Sequence, residues 1–262
     1  MSTVSIVIPS YNDAEMLRGC LAALAVQTRP PDELIVVDNG STDATAAIAR
    51  AAGARVVTEP RRGVLRATAA GFDAAGCEVI GRLDADSRPA PDWTARVAAA
   101  FEADATLHAL TGTGSFYGCG RFWRFVGRYL YLGGYFWSMG MLMGHRPLFG
   151  SNFAIRRTAW RAVRERAHVD DPHVHDDLDI SFILDPDMGV DYDRALLVQV
   201  SARPFANVAG FQRRASWAFH DIALNLREVG VLRRRAEGAR GRRRRRARQA
   251  ELAGRAAASD PA

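Results

Sequence analysis

Two carboxylates separated by one residue close an apolar run in Val79-Ile80-Gly81-Arg82-Leu83-Asp84-Ala85-Asp86. Such a run reads as a buried strand of a parallel sheet, and at the sheet's carboxyl edge the last side chains face the crevice where ligands bind. Alternate side chains of an extended chain point the same way, so Asp84 and Asp86 would present their oxygens together. A hard cation, Mg²⁺ or Mn²⁺, takes such oxygens and shares them with a diphosphate. Taken alone, Asp-x-Asp is also ordinary turn vocabulary. Repetition favours the metal and nucleotide reading: Asp38 follows the apolar run Glu33 to Val37, and Glu59 follows Arg55 to Thr58. Three strand ends would then deliver carboxylates to one edge.

The elements that must position them alternate along the chain. Val4 to Ile8 reads as a strand, and Asn12-Asp13-Ala14-Glu15 opens a helix with Leu17, Leu21 and Leu24 on one face. A helix from Ala44 to Ala52 follows the second strand, and Val64 to Ala75 follows the third. After the Asp84 strand, Pro91-Asp92 starts a helix through Phe101, and Ala109 to Thr113 reads as a fifth strand. This alternation predicts an α/β fold with a mostly parallel central sheet and helices on both faces.

At 262 residues and 48% hydrophobic, the chain can bury a sizeable core. Cys20, Cys77 and Cys119 have no metal-ligand spacing and suit a reducing compartment. The amino terminus reads as a strand rather than a signal peptide, so the expected location is cytoplasmic. Every cation is Arg, and the charge is uneven: residues 233 to 255 carry a net +9, residues 1 to 232 a net −2.

Five ordered segments carry a resemblance to the family 2 glycosyltransferases. They are Ser5-Ile6-Val7-Ile8-Pro9-Ser10-Tyr11-Asn12, Ile35-Val36-Val37-Asp38-Asn39-Gly40-Ser41-Thr42-Asp43, Leu83-Asp84-Ala85-Asp86, Phe149-Gly150-Ser151-Asn152-Phe153 and His175-Asp176-Asp177-Leu178-Asp179. The resemblance covers about residues 3 to 220 and implies the Rossmann-like GT-A fold of nucleotide-diphospho-sugar transferases. It also implies an inverting transfer from a UDP-, GDP- or dTDP-linked sugar to a hydroxyl acceptor, polyprenyl- or otherwise lipid-linked among the candidates. By the same resemblance Pro9, Tyr11 and Asp38 would border the nucleoside, Asp84 would lie near ribose and metal, and Asp86 would be the main metal ligand. Asp177 matches the general base, while Gly150, Ser151, Asn152 and Asp179 fall on the acceptor side.

The sequence departs from the family pattern twice. Asp176 stands where Glu usually precedes the base, which leaves Asp176 as an alternative base. Ala67-Thr68-Ala69-Ala70-Gly71 lacks the usual nucleoside-binding Arg, for which Arg66 or Arg62 could substitute. Two rivals are a nucleotidyltransferase of similar fold, which would want a basic Gly-rich loop after the first strand, and a sugar-nucleotide-binding or membrane scaffold of weak activity.

On this reading residues 1–232 are the glycosyltransferase domain, with a nucleotide-sugar half to about 115 and an acceptor half from 116. Within it, residues 116–149 crowd aromatics between Arg residues, and Tyr129 to Gly144 is too short and Gly-rich for a span of about 20 apolar residues, so core or a membrane-interfacial surface is expected. The Arg-rich tail, 233–262, is expected to be disordered, with attraction to anionic lipid headgroups second and specific nucleic-acid binding not expected. Peripheral attachment at the inner face of the cell membrane follows as an option. His168, His173 and His175 read as a loop rather than a zinc site, and Arg213, Arg214 and Trp217 as a packed basic helix rather than a polymer clamp.

Overall fold

A computed structural model of the chain describes the backbone of residues 1–203, 208–228 and 230–258. The amino-terminal part alternates as its apolar periodicity dictates: β1 (Val4–Ser10), α1 (Ala14–Ala25), β2 (Glu33–Asp38), α2 (Thr45–Ala51), β3 (Arg55–Thr58), α3 (Val64–Ala74) and β4 (Val79–Arg82). Then follow β5 (Arg88–Pro89), α4 (Trp93–Ala103), β6 (Leu107–Tyr117), α5 (Arg121–Phe125), a π-helical turn (Val126–Leu132) and α6 (Gly133–Met143). The rest comprises β7 (Phe153–Arg156), α7 (Arg157–Val163), α8 (Asp176–Ile183), β8 (Gly189–Ser201), α9 (Val208–Glu228) and α10 (Val231–Ala258).

All eight strands form one sheet in the order β3-β2-β1-β4-β7-β6-β8-β5. The pairs β1·β2, β1·β4, β2·β3 and β6·β8 are parallel, whereas β7 runs antiparallel to both β4 and β6. The carboxyl ends of β1, β2, β3 and β4 therefore lie along one edge. Antiparallel β7 puts the opposite end there, so the segment just before Phe153 meets the segment just after Arg82.

Side chains alternate across the sheet and make two cores. On one face Ile6 and Ile8 pack with Leu17, Leu21 and Leu24 of α1 and with Trp93 and Phe101 of α4. On the other, Val7 and Val37 pack with Leu65 and Phe72 of α3, Trp160 of α7 and Ile180 of α8. Gly71 lets α3 sit directly on β1 and β2, because a Cβ there would run into Val7 and Val37.

The tail differs from expectation. From 233 onward the chain is helical as α10, with residues 259–262 outside the described range. Ala and Arg are strong helix formers, and the helix is anchored: Arg245 pairs with Asp104 at 2.6 Å and Asp191 at 2.7 Å, and Arg242 donates to the Gly144 carbonyl. Disorder would be the rule for a like-charge run only where no acidic partners face it. No helix among the described residues is long and apolar enough to cross a membrane.

Candidate active site

Where β4 ends, the chain turns through Asp84-Ala85-Asp86 beside Gly150 and Ser151, the residues leading into β7, and beside the amino terminus of α8. A cleft of about 630 Å³ opens there, lined from the sheet edge by Pro9, Tyr11, Asp84 and Asp86 and from the other side by Asp176 and Asp177. Gly150 and Ser151 lie between the two.

Arg82 holds this arrangement together. It is 2% exposed, and its guanidinium pairs with Asp84 at 2.5 Å and with Asp176 at 2.7 Å while donating to the Gly150 carbonyl. Thr68 of α3 donates to the same Asp176 carboxylate at 2.5 Å. Burial opposes the charge on Arg82, but Asp176, Asp84 and Asp177 together hold it firmly protonated. Asp176 is thus committed to an ion pair inside the protein.

Asp177 is held differently. Its Oδ2 accepts from Gly150 N at 2.7 Å and its Oδ1 from Leu178 N at 2.8 Å, which fixes the carboxylate without neutralising it. Burial, then the neighbouring Asp176, raises its pKa above the ordinary carboxylate value. A carboxylate that is oriented, without an ion pair among the described residues and shifted upward has the attributes of a base.

The two carboxylates after β4 are also unlike each other. Burial works against ionisation of Asp84, but Arg82 and the hydroxyl of Ser151 outweigh it and hold its pKa down. Asp86 is pushed up to about 6, by burial first and by Asp84 second. Arg203, just beyond β8, answers that charge with bonds of 3.0 Å to Asp86 and 2.7 Å to Asp13.

Other expected site residues lie outside the cleft lining. Asp38 Oδ1 accepts from Ser41 N at 2.9 Å and Glu59 from Arg61 N at 2.8 Å, so each braces its own loop, while the neighbouring Asn39 lines the cleft. Arg66 reaches the Asp170 carbonyl at 2.9 Å; Arg62 instead stacks over Tyr11 within the cleft. Asn152 is fully buried, accepting from Trp93 Nε1 at 2.7 Å and donating to the Thr113 and Leu196 carbonyls at 2.8 Å. Asp179 is fully buried as well, bonded to His168 Nδ1 at 2.6 Å. Trp217 and Arg214, by contrast, line the cleft with His173 and His175, the Trp217 ring lying 5.6 Å from His173 and 6.1 Å from His175; the side chain of Arg213 lies outside the described residues. Arg82, Arg203, Asp13 and Thr68 are the members that the sequence motifs did not single out.

Next to Asp179, on α9, Asp221 is fully buried and its carboxyl is pushed up to about 9, by burial first and by Asp179 second. The folded protein keeps this proton where an unfolded Asp releases it near pH 4, so the native state binds more protons between about pH 4 and 9 and stability falls as pH rises through that window. Asp221→Asn keeps the oxygen that accepts from Asn225 Nδ2 and removes the titration. The variant should show a higher Tm than the parent at about pH 8 and a shallower decline with pH; parallel Tm profiles would contradict a protonated Asp221.

The family model described as "Glycosyl transferase family 2" matches residues 5–168, well over half of the chain. The chain belongs to that family. Among relatives of this family 2 glycosyltransferase, glycosyltransferase AglE of Haloferax volcanii is 35% identical over 101 residues, 36% of this chain and 33% of that protein. The undecaprenyl-phosphate 4-deoxy-4-formamido-L-arabinose transferase of Pseudomonas fluorescens is 36% identical over 110 residues, 38% of this chain and 32% of that protein. The matched part thus spans about a third of the length of these curated relatives.

Solved structures share the GT-A fold. A mannosyltransferase from Pyrobaculum calidifontis in complex with GDP-Man and Mn²⁺ aligns with a TM-score of 0.63 at 19% identity, covering 98% of this chain and 80% of that one. Glucosyl-3-phosphoglycerate synthase from Mycobacterium tuberculosis, in complex with Mn²⁺, UDP-Glc and phosphoglyceric acid, aligns with a TM-score of 0.57 at 21% identity, covering 85% and 80%.

Proposed function

We propose that this cleft transfers a glycosyl group from a nucleotide-diphosphate sugar to an acceptor hydroxyl by single displacement, in the cytoplasm. One observation carries the reading: a carboxylate pair at the end of β4 and an oriented, upward-shifted carboxylate at the start of α8 face one cleft with Gly150 and Ser151 between them. The ring of Tyr11 and the plane of Arg62 offer a flat surface for a nucleobase beside Pro9 and Asn39. Asp38 and Glu59 support that end from the loops behind it.

The residues present suit a divalent cation shared with a diphosphate. Among the described residues no group of three or more His, Cys, Asp or Glu is arranged to hold a metal unaided. Mg²⁺ and Mn²⁺ sites of phosphate-handling enzymes, however, use one or two carboxylates and complete the shell with phosphate and water. Asp86 and Asp84 would hold the ion; burial first and repulsion from Asp84 second raise Asp86, and a cation would relieve the second. When bound, the ion supplies positive charge to the departing diphosphate. Arg203, already on Asp86, adds a guanidinium at the same end.

Asp177 takes the acceptor's proton as the acceptor oxygen attacks the anomeric carbon. Asp176, ion-paired with Arg82 and hydrogen-bonded by Thr68, adds to the upward shift of Asp177. Phe116, Tyr131 and Phe149 make an aromatic wall on this side, in keeping with an acceptor carried on a lipid, as the Pseudomonas relative's name specifies for that protein.

The test is a thermal-shift panel of UDP, GDP, dTDP and their sugars, with Mn²⁺ and again with EDTA. A ligand at a hundred times its Kd stabilises by about 2.7 kcal/mol, a rise on the order of 5–10 °C for a protein of this size. One nucleotide family should give it, and EDTA or Asp86→Ala should abolish it. No shift with any nucleotide would overturn the reading.

A further inference from the structure

We propose that the helix running from α5 through the π-helical turn to α6, together with the flank of α10, is a docking face for an anionic lipid bilayer. The inner side of this helix is accounted for: Gly127, Leu132, Phe136 and Met143 are buried. Its outer side is apolar too. Phe122, Phe125, Tyr129, Trp137 and Met141 follow one another at helical spacing and are all exposed, Phe122 and Trp137 by 70% and 71%. A stripe of large apolar side chains in water marks an interaction surface.

Charge identifies the occupant. The stripe is flanked by Arg121, Arg124 and Arg128, and no Asp or Glu occurs between Asp104 and Glu165. α10 packs against the end of α6, where Arg242 donates to the Gly144 carbonyl. A hollow of about 640 Å³ results, lined by Trp137, Met141, Arg242 and Arg246 and also by Asp187 and Asp191, the latter already paired with Arg245. Aromatic side chains that lie at headgroup depth beside guanidiniums that bind phosphate are the make-up of an interfacial helix. A second copy of this chain would bring Arg against Arg. Tyr131, on the same helix, lines the catalytic cleft, which puts the acceptor side at the bilayer; that step rests on the glycosyl-transfer reading, and the docking face does not.

Vesicle binding of the full chain, measured without any nucleotide, tests the face separately from catalysis. The protein should pellet with equimolar phosphatidylcholine and phosphatidylglycerol and not with phosphatidylcholine alone. Trp93 and Trp160 are buried and Trp217 lines the cleft away from this face, so acyl-chain-brominated lipid should quench Trp123 and Trp137. Phe122→Ser with Trp137→Ser should remove most of the quenching, and each of Arg121→Ser and Arg246→Ser should weaken binding about fivefold. Truncation at exposed positions should leave Tm unchanged, which separates lost docking from lost fold. The proposal is overturned by no pelleting, by pelleting without quenching, by a dimer that Trp137→Ser dissolves, or by binding to duplex DNA in place of vesicles.

Discussion

Asp177→Asn is expected to lower glycosyl transfer by about 10²–10⁴-fold, the usual contribution of a positioned base, with nucleotide binding left intact. The amide oxygen can still accept from Gly150 N and hold the loop carrying Gly150 and Ser151, while the bond from Leu178 N to Oδ1 is given up. What disappears is the lone pair that takes the acceptor's proton. Asp176→Asn should behave differently, because it removes a charge that Arg82 needs; its loss should appear in stability as well as in turnover. Release of free nucleotide diphosphate, followed beside thermal shift with donor, separates the two. Full turnover by Asp177→Asn would move the base to Asp176.

Arg82→Met should cost about 3–5 kcal/mol of folding stability, the penalty for stripping the partner from a buried ion pair. For a chain of this length that is a fall in Tm on the order of 10 °C. Asp176 would remain buried beside Thr68, and Asp84 would lose the charge that holds its pKa down, leaving burial to push it up. The folded variant then binds more protons than the unfolded chain above about pH 4, so its deficit should grow as pH rises. Arg82→Lys should recover part of the loss and not all, since an ammonium cannot span Asp84, Asp176 and the Gly150 carbonyl as a planar fork does. Denaturant unfolding at two pH values reads both effects; a variant as stable as the parent would mean that the pairs contribute little.

The α/β alternation was legible because each strand is an apolar run stopped by Asp, Glu or Pro and each helix has a clear apolar face. The antiparallel placement of β7 was not, since Phe153-Ala154-Ile155-Arg156 carries no sign of its direction. At the site, Asp84, Asp86 and Asp177 are short side chains next to elements whose ends could be foreseen, and all three line the cleft. Arg66 and Arg62 lie four residues apart near the start of α3, and only the loop contacts to Asp170 decide which one faces the cleft. Arg82 had left a trace: a charge inside Val79-Ile80-Gly81-Arg82-Leu83 is out of place in a buried strand unless something pairs it. One partner, Asp84, is two positions away, but Asp176 lies over ninety positions away, beyond the reach of local pattern. The helical tail was missed for the same reason, because Asp104 and Asp191, which answer Arg245, are distant in the chain.

The most direct test of a diphosphate end at Asp84 and Asp86 with a base at Asp177 is the anomeric configuration of the first product, read by proton NMR before it can equilibrate. A base that activates the acceptor opposite the departing diphosphate predicts a product of inverted configuration from the first turnovers. Retention would require a second displacement through a carboxylate nucleophile, and would contradict a general-base role for Asp177.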